Sequence, residues 1–270
     1  MAGRAYRLSI ALAVCLAAPA HAENTGLDRL TLRSDLLGWE AVGRLDTGNG
    51  GFCTGVLVAS DLVLTAAHCL TDAQAAGHVD NLRFRAGLRD GEAVADSGVA
   101  RAVMHPDYAP ANGVSAQNLR RDVALVQLAA PIPTGMAAPF LVEGLPRPGE
   151  AVSVVSYASG RAEAPARQAV CTVRGRQAGL LAFDCDVTFG ASGAPVFDVS
   201  RQRARIVSLV SSGGPSGDGT LAFGMELPAR VDELKQALRT GRGVFPDRAF
   251  TARRIKVGDR GSSGARFVRP

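Results

Sequence analysis

The chain has 270 residues, 47% of them apolar and 20% charged, with a formal net charge of +5. That length fits one large domain or two small ones with a sizeable core, and the composition excludes disorder throughout. No run of about 18 apolar residues occurs, so no helical membrane span is expected in the mature chain. The basic surplus raises the question of an anionic partner, which turns on where the charges sit.

Residues 1–22 read as an export signal. Arg4 and Arg7 form the positive start, Leu8 to Ala18 is an apolar run too short to span a bilayer, and Ala20-His21-Ala22 is a small-x-small cleavage pattern. The mature chain is then expected to begin at Glu23, outside the cytoplasm, either secreted or periplasmic. Cleavage removes Cys15 and leaves Cys53, Cys69, Cys171 and Cys185. An even count in an exported chain suggests two disulfides, and three pairings are open.

Residues 23–38 carry no strong pattern and read as a pro-segment or an extended arm. From Trp39 to about Met225 the chain consists of short apolar runs broken by Gly, Pro, Asn and Asp, among them Val56-Leu57-Val58, Leu62-Val63-Leu64, Val123 to Val126, Val152 to Val155 and Ile206 to Val210. Many strand-length runs with turn signals predict an all-β, antiparallel sandwich or barrel. One helix is predicted over Pro228–Leu238, with Val231, Leu234 and Leu238 on one face and Gly241 as its stop. The domain therefore spans 39–240, and 241–270 is a basic tail outside the core.

The charge resolves along the same boundaries. The signal contributes two basic residues and no acids, leaving 28 basic against 25 acidic residues in the mature chain. Residues 248–270 hold Arg248, Arg253, Arg254, Lys256, Arg260, Arg266 and Arg269 against Asp259 alone, so residues 23–247 carry −3. Only Phe250 and Phe267 interleave with those charges, so the tail reads as solvated and no nucleic-acid partner is expected.

Three segments can carry chemistry: Thr65-Ala66-Ala67-His68-Cys69, Arg121-Asp122-Val123-Ala124-Leu125-Val126-Gln127-Leu128, and Phe189-Gly190-Ala191-Ser192-Gly193-Ala194-Pro195-Val196. Together they resemble the signature blocks of trypsin-like (chymotrypsin-fold) serine proteases, in that family's order of His, Asp and Ser. Cys53 lies sixteen residues before Cys69, as in the family. The likeness spans Trp39 to Leu238 and is nearest the bacterial, glutamyl-endopeptidase-like branch. It implies two antiparallel six-stranded β-barrels with a C-terminal helix, and the sequential disulfides Cys53–Cys69 and Cys171–Cys185.

The resemblance also implies acyl transfer by an exported serine endopeptidase acting on protein or peptide substrates. Ser192 would be the nucleophile, His68 its base and Asp122 the group that orients the imidazole, with the backbone N–H groups of Gly190 and Ser192 as oxyanion hole. No cofactor is implied, and His68, His78 and His105 lack zinc-ligand spacing, so no metal is expected. The enzyme is expected to act as a monomer. The alternative is a catalytically inactive relative serving as a binding module, against which the intact His68, Asp122, Ser192 and Gly190 set speaks.

Two departures matter. Ala191 stands where animal enzymes have an Asp that pairs with a newly cut N-terminus, so the oxyanion hole is expected to form without that ion pair. The substrate pocket gives competing signals. Asp186 lies where trypsins place the carboxylate that selects Arg or Lys, yet its alternation with Phe183, Cys185 and Val187 puts it on a strand's solvent face. On the facing strand, Ser208-Leu209-Val210 puts Val210 where trypsins keep glycine, and Leu221 replaces a second glycine. Both narrow the pocket toward a small or medium apolar side chain. The His of glutamate-specific relatives is absent at Val207.

Overall fold

A computed structural model of the chain describes residues 26–217 and 219–246. The export signal (1–22), the start of the mature chain and the tail from 247 lie outside the described residues.

The strands are β1 (Leu27–Arg29), β2 (Val42–Asp46), β3 (Phe52–Ala59), β4 (Leu62–Thr65), β5 (Arg83–Ala86), β6 (Ala95–Met104), β7 (Ala124–Leu128), β8 (Ala151–Ala158), β9 (Arg161–Gln177), β10 (Leu180–Phe183), β11 (Pro195–Asp198), β12 (Arg205–Leu209), β13 (Ser212–Ser216), β14 (Gly219–Met225) and β15 (Val244–Pro246). Among the described residues three α-helices accompany them, α1 (Thr71–Ala76), α2 (Ala116–Leu119) and α3 (Pro228–Thr240), with 3-10 turns at Ala67–Leu70 and Pro110–Asn112.

All the ladders are antiparallel, and they form two units. In the first, β5-β2-β3-β4-β7 closes through β6, which pairs with both β7 and β5, giving a six-stranded barrel. In the second, β12-β11-β8-β9-β10-β14-β13 curls into a half-barrel. Its two edge strands, β12 and β13, are consecutive stretches of one segment bent at Val210–Ser211. The all-β, two-unit expectation therefore holds, but among the described residues no ladder closes the second unit. The bend turns one strand into two edges.

The sequential disulfides Cys53–Cys69 and Cys171–Cys185 are both formed. Most buried apolar side chains join one core that fills the first barrel and reaches Phe197, Ile206 and Leu209 of the second unit. A smaller core surrounds Cys171–Cys185 with Val152, Val154, Phe183 and Val196. Trp39, Phe140 and Phe197 cluster with ring centroids 4.7–5.9 Å apart, joining the N-terminal segment, the inter-barrel linker and β11.

Helix α3 follows its sequence signals. Pro228 sits in its first turn, Val231, Leu234, Ala237 and Leu238 are buried, and Gly241 ends it in the left-handed conformation (φ +73°) that favours glycine. The helix packs on β6 and β7 of the first barrel. Two peripheral segments are more involved than their composition suggests. β1 pairs with β9, Leu30 and Leu36 are buried, and Arg89 donates to the Thr31 carbonyl at 3.1 Å, so residues 27–36 touch both units. β15 extends the first sheet by pairing with β6 beyond the point where β5 stops.

Candidate active site

A cleft of about 780 Å³ opens between the two units, and His68, Asp122 and Ser192 all line it. Each is delivered by a different local device. His68 lies in the 3-10 turn Ala67–Leu70 directly after β4, tethered to β3 by Cys53–Cys69. Asp122 lies between α2 and β7. The residues beside them, Thr65 and Ala124, are a paired register position of the β4–β7 ladder. Sheet register therefore brings His68 and Asp122 together.

The Asp122 side chain is 4% exposed and fully occupied. Its Oδ1 accepts the His68 backbone N–H at 2.8 Å, and its Oδ2 faces His68 Nδ1 at 2.7 Å and accepts the hydroxyl of Ser211. An acceptor-only carboxylate at Nδ1 fixes the proton there, which leaves Nε2 as the basic nitrogen. Tyr108 also lines the cleft, and burial together with the Asp122 charge pushes its hydroxyl up to about 12, so it stays a neutral phenol.

Ser192 sits on the loop between β10 and β11. The N–H groups of Ala191, Gly193 and Ala194 donate to the carbonyls of Thr188 (2.9 Å), Val210 (2.7 Å) and Ala191 (2.9 Å). Those of Gly190 and Ser192 donate to no backbone carbonyl among the described residues. Gly190 (φ +91°) and Gly193 (φ +76°) hold left-handed conformations. A Cβ on Gly190 would stand 2.5 Å from the Phe52 ring, and one on Gly193 would stand 2.3 Å from both the Thr54 carbonyl and the Thr65 hydroxyl. Only glycine satisfies both the conformation and the contact.

The expected pocket residues divide. Val210 lines the cleft; Asp186, Ser208 and Leu221 do not. Asp186 is half-buried in the alternation that buries Leu181, Phe183 and Cys185, and its N–H donates to the buried Gln168 Oε1 at 2.7 Å. Ser208 is fully buried within the wall, donating to the Met225 carbonyl at 2.8 Å. Leu221 pairs with Gly214, and its neighbour Thr220 takes the lining position. The facing wall is instead Ser211 to Pro215, three residues later, because the strand bends after Leu209.

Val187 forms the opposite wall, its Cγ2 only 2.3 Å from where a Gly213 Cβ would stand. Phe189, 89% exposed, stands at the rim. Sequence reasoning missed Ser211, Val187 and Thr54. The Ser211-Ser212-Gly213-Gly214-Pro215 run, too small and polar for a buried strand, was the signal for the first. Cys53, His68 and Cys69 place potential ligand atoms within 4.8 Å of one another, but the two cysteines are bonded to each other and offer no thiolate.

A family model described as trypsin-like peptidase domain matches residues 53–204. Mouse serine protease 56 is 34% identical over 143 residues, covering 50% of this chain and 22% of that protein. Mouse cathepsin G is 40% identical over 77 residues, 28% of this chain and 25% of that protein. The chain thus spans about a quarter or less of the curated relatives it matches. A solved Glu endopeptidase structure, in complex with MPD, superposes with a TM-score of 0.61 at 16% identity, covering 79% of this chain and 97% of that one. It shares the chymotrypsin-like fold.

Proposed function

The chain belongs to the trypsin-like peptidase domain family, and from that premise we propose that it is an exported serine endopeptidase working through an acyl-enzyme. The observation that carries the proposal is the shared cleft. A His68 whose Nδ1 is held by a buried Asp122 stands in the same cleft as Ser192. A serine hydroxyl needs such a base to attack a carbonyl at neutral pH.

In this mechanism His68 Nε2 takes the Ser192 proton as Oγ attacks the scissile carbonyl. Asp122 holds the imidazole orientation and stabilises its charged form. The unengaged N–H groups of Gly190 and Ser192 receive the oxyanion, each such donor typically lowering the barrier by about 3–4 kcal/mol. His68 then protonates the leaving amine, water enters, and the same groups run the deacylation in reverse. Ala191 is fully buried with its N–H bonded to Thr188, which supports an oxyanion loop formed without an N-terminal ion pair.

The substrates are proteins or peptides, cleaved by a monomer. No Arg, Lys or Glu lines the cleft among the described residues, and Val187 and Val210 narrow it. These features support a small or medium uncharged side chain before the scissile bond, to be read from cleavage of a peptide library. Two disulfides support an oxidising destination, secreted or periplasmic, and the Ala20-His21-Ala22 pattern supports Glu23 as the mature start. The protease domain is assigned to 39–240, with 23–38 as an arm docked through β1 and the buried Leu30 and Leu36, and 241–270 as a basic tail whose first residues are held in the first sheet by β15.

The test is covalent labelling. Residues 23–270, made in an oxidising compartment, are treated with an organophosphonate probe for activated serines. Labelling that disappears in Ser192→Ala is the expected result. A folded, disulfide-bonded protein that takes no label overturns the enzyme reading in favour of an inactive homologue that binds.

A further inference from the structure

The loop that carries Ser192 is held by its carbonyls. Each of the four consecutive peptide units from Phe189–Gly190 to Ser192–Gly193 has its oxygen engaged. The Phe189 carbonyl accepts from Ser159 N–H at 2.7 Å and the Ala191 carbonyl from Ala194 N–H at 2.9 Å. Both remaining carbonyls belong to one residue of the other barrel. The Gly190 carbonyl accepts the Thr54 hydroxyl at 2.9 Å, and the Ser192 carbonyl accepts the Thr54 N–H at 2.9 Å.

Thr54 lies on β3 immediately after Cys53 and is fully buried. Its surroundings leave its hydroxyl little freedom. Oγ1 accepts Tyr157 N–H at 3.0 Å from β8, so its own proton goes to the Gly190 carbonyl rather than to the more distant Tyr157 carbonyl at 3.3 Å. The Thr54 carbonyl accepts the Thr65 hydroxyl at 2.9 Å, next to the turn that carries His68.

We propose that the Thr54 side chain is a positioning residue for the oxyanion hole, clamping the nucleophile loop to the first barrel in place of an N-terminal ion pair. Ala191 offers no charge for such a pair. The clamp acts on the peptides on either side of the free N–H groups. With the Gly190 carbonyl held and the Gly190–Ala191 N–H bonded to Thr188, that peptide plane cannot rotate. The Gly190 and Ser192 N–H groups then stay aimed into the cleft before substrate arrives. The proposal rests on the serine-endopeptidase reading above.

The test compares Thr54→Val, which keeps the shape and removes the hydroxyl, with Thr54→Ser, which keeps the hydroxyl. Three quantities are read: kcat, KM, and affinity for a peptidyl boronate, whose tetrahedral adduct places an oxygen in the hole. Thr54→Val is expected to lose about 10- to 100-fold in kcat and in boronate affinity together, with KM changed by less than about 3-fold. Thr54→Ser is expected to recover both to within about 3-fold of wild type. If Thr54→Val does not accumulate as folded protein, Thr54→Ala is read in the same way.

A hydroxyl-free variant with kcat and boronate affinity within about 3-fold of wild type overturns the clamp, and so does a Thr54→Ser variant as impaired as Thr54→Val. A wild-type chain that takes no phosphonate label overturns the enzyme reading itself. A labelled wild type beside an unimpaired hydroxyl-free variant overturns only the clamp.

Discussion

The two units hold their share of the site by different means. In the closed barrel, His68 and Asp122 extend from strands that are paired at Thr65 and Ala124, so ladder register sets their separation. In the curled unit, Ser192 sits on an irregular loop placed by glycine conformations and by hydrogen bonds, two of them reaching across from Thr54. The second sheet also ends on β13, whose Ser212–Pro215 stretch faces the cleft with no strand beyond it among the described residues. A closed barrel is suited to fixing a base and its partner. An open edge leaves backbone groups available where an extended substrate has to lie. The contrast predicts that damage to the His68–Asp122 pair shows in chemistry alone, whereas damage to the unit that carries Ser192 can be separated from chemistry by distance from the loop.

The largest expected effect tests the register half of this contrast. Asp122→Asn keeps the size of the side chain and leaves the β4–β7 ladder intact, but an amide lets His68 adopt the wrong tautomer. Activity is expected to fall by about 10⁴-fold in kcat, with the thermal midpoint within a few degrees of wild type. A large drop in midpoint would show that the acid holds the barrel together and that register alone does not place His68.

The disulfides come next, one to a unit. They close loops with sequence separations of 16 and 14 residues, so removing either by paired Ala substitution is expected to cost about 3 kcal/mol, measured by denaturant unfolding. Their effects on catalysis should differ. Cys53–Cys69 joins the His68 turn to the strand that carries Thr54, so its loss should lower kcat in the molecules that remain folded. Neither Cys171 nor Cys185 lines the cleft, which their small core meets through Val187 and Val210, so loss of this bridge should leave kcat within about 2-fold. Equal losses of kcat in both variants would erase the distinction between the units.

What the residues disclosed beforehand follows the same division. The three blocks and helix α3 were legible because each is a local pattern: a residue order with fixed neighbours, or a 3.6-residue period ended by Gly241. The cleft wall was not, because the apolar run Ile206 to Val210 gives no sign that the strand bends at Val210–Ser211. That bend shifts the lining from Ser208 to Ser211 and beyond. Thr54 was invisible for another reason. A Thr inside a strand reads as an ordinary β-branched residue, and its partners Tyr157 and Gly190 lie more than 100 positions away. β1 and β15 are only three residues long, and their partners, β9 and β6, are likewise far off in sequence.

The smallest expected effect concerns His105, at the junction of the first barrel with α3. The side chain is 4% exposed, and its Nδ1 accepts the Asp107 N–H at 3.2 Å, so in the neutral ring the proton is on Nε2. Nε2 lies 3.5 Å from both Glu233 and Arg230 of α3. Burial chiefly, then the Arg230 charge, lowers its pKa below the usual histidine value, while Glu233 and Asp107 pull the other way and Arg121 adds to the lowering. A base whose folded pKa is depressed binds its proton more readily once unfolded. Its contribution to stability is therefore fully present above about pH 6.5, the unfolded value, and is lost as pH falls from there toward the folded value, below which it stays constant. Unfolding measured at pH 7.5 and pH 5 should show this loss in the wild type and a smaller one in His105→Gln, which carries no titrating proton. Because His105 belongs to the unit whose geometry is set by register, kcat at pH 7.5 should differ little between the two. A His105→Gln protein that loses as much stability on acidification as the wild type would place the acid-sensitive group elsewhere.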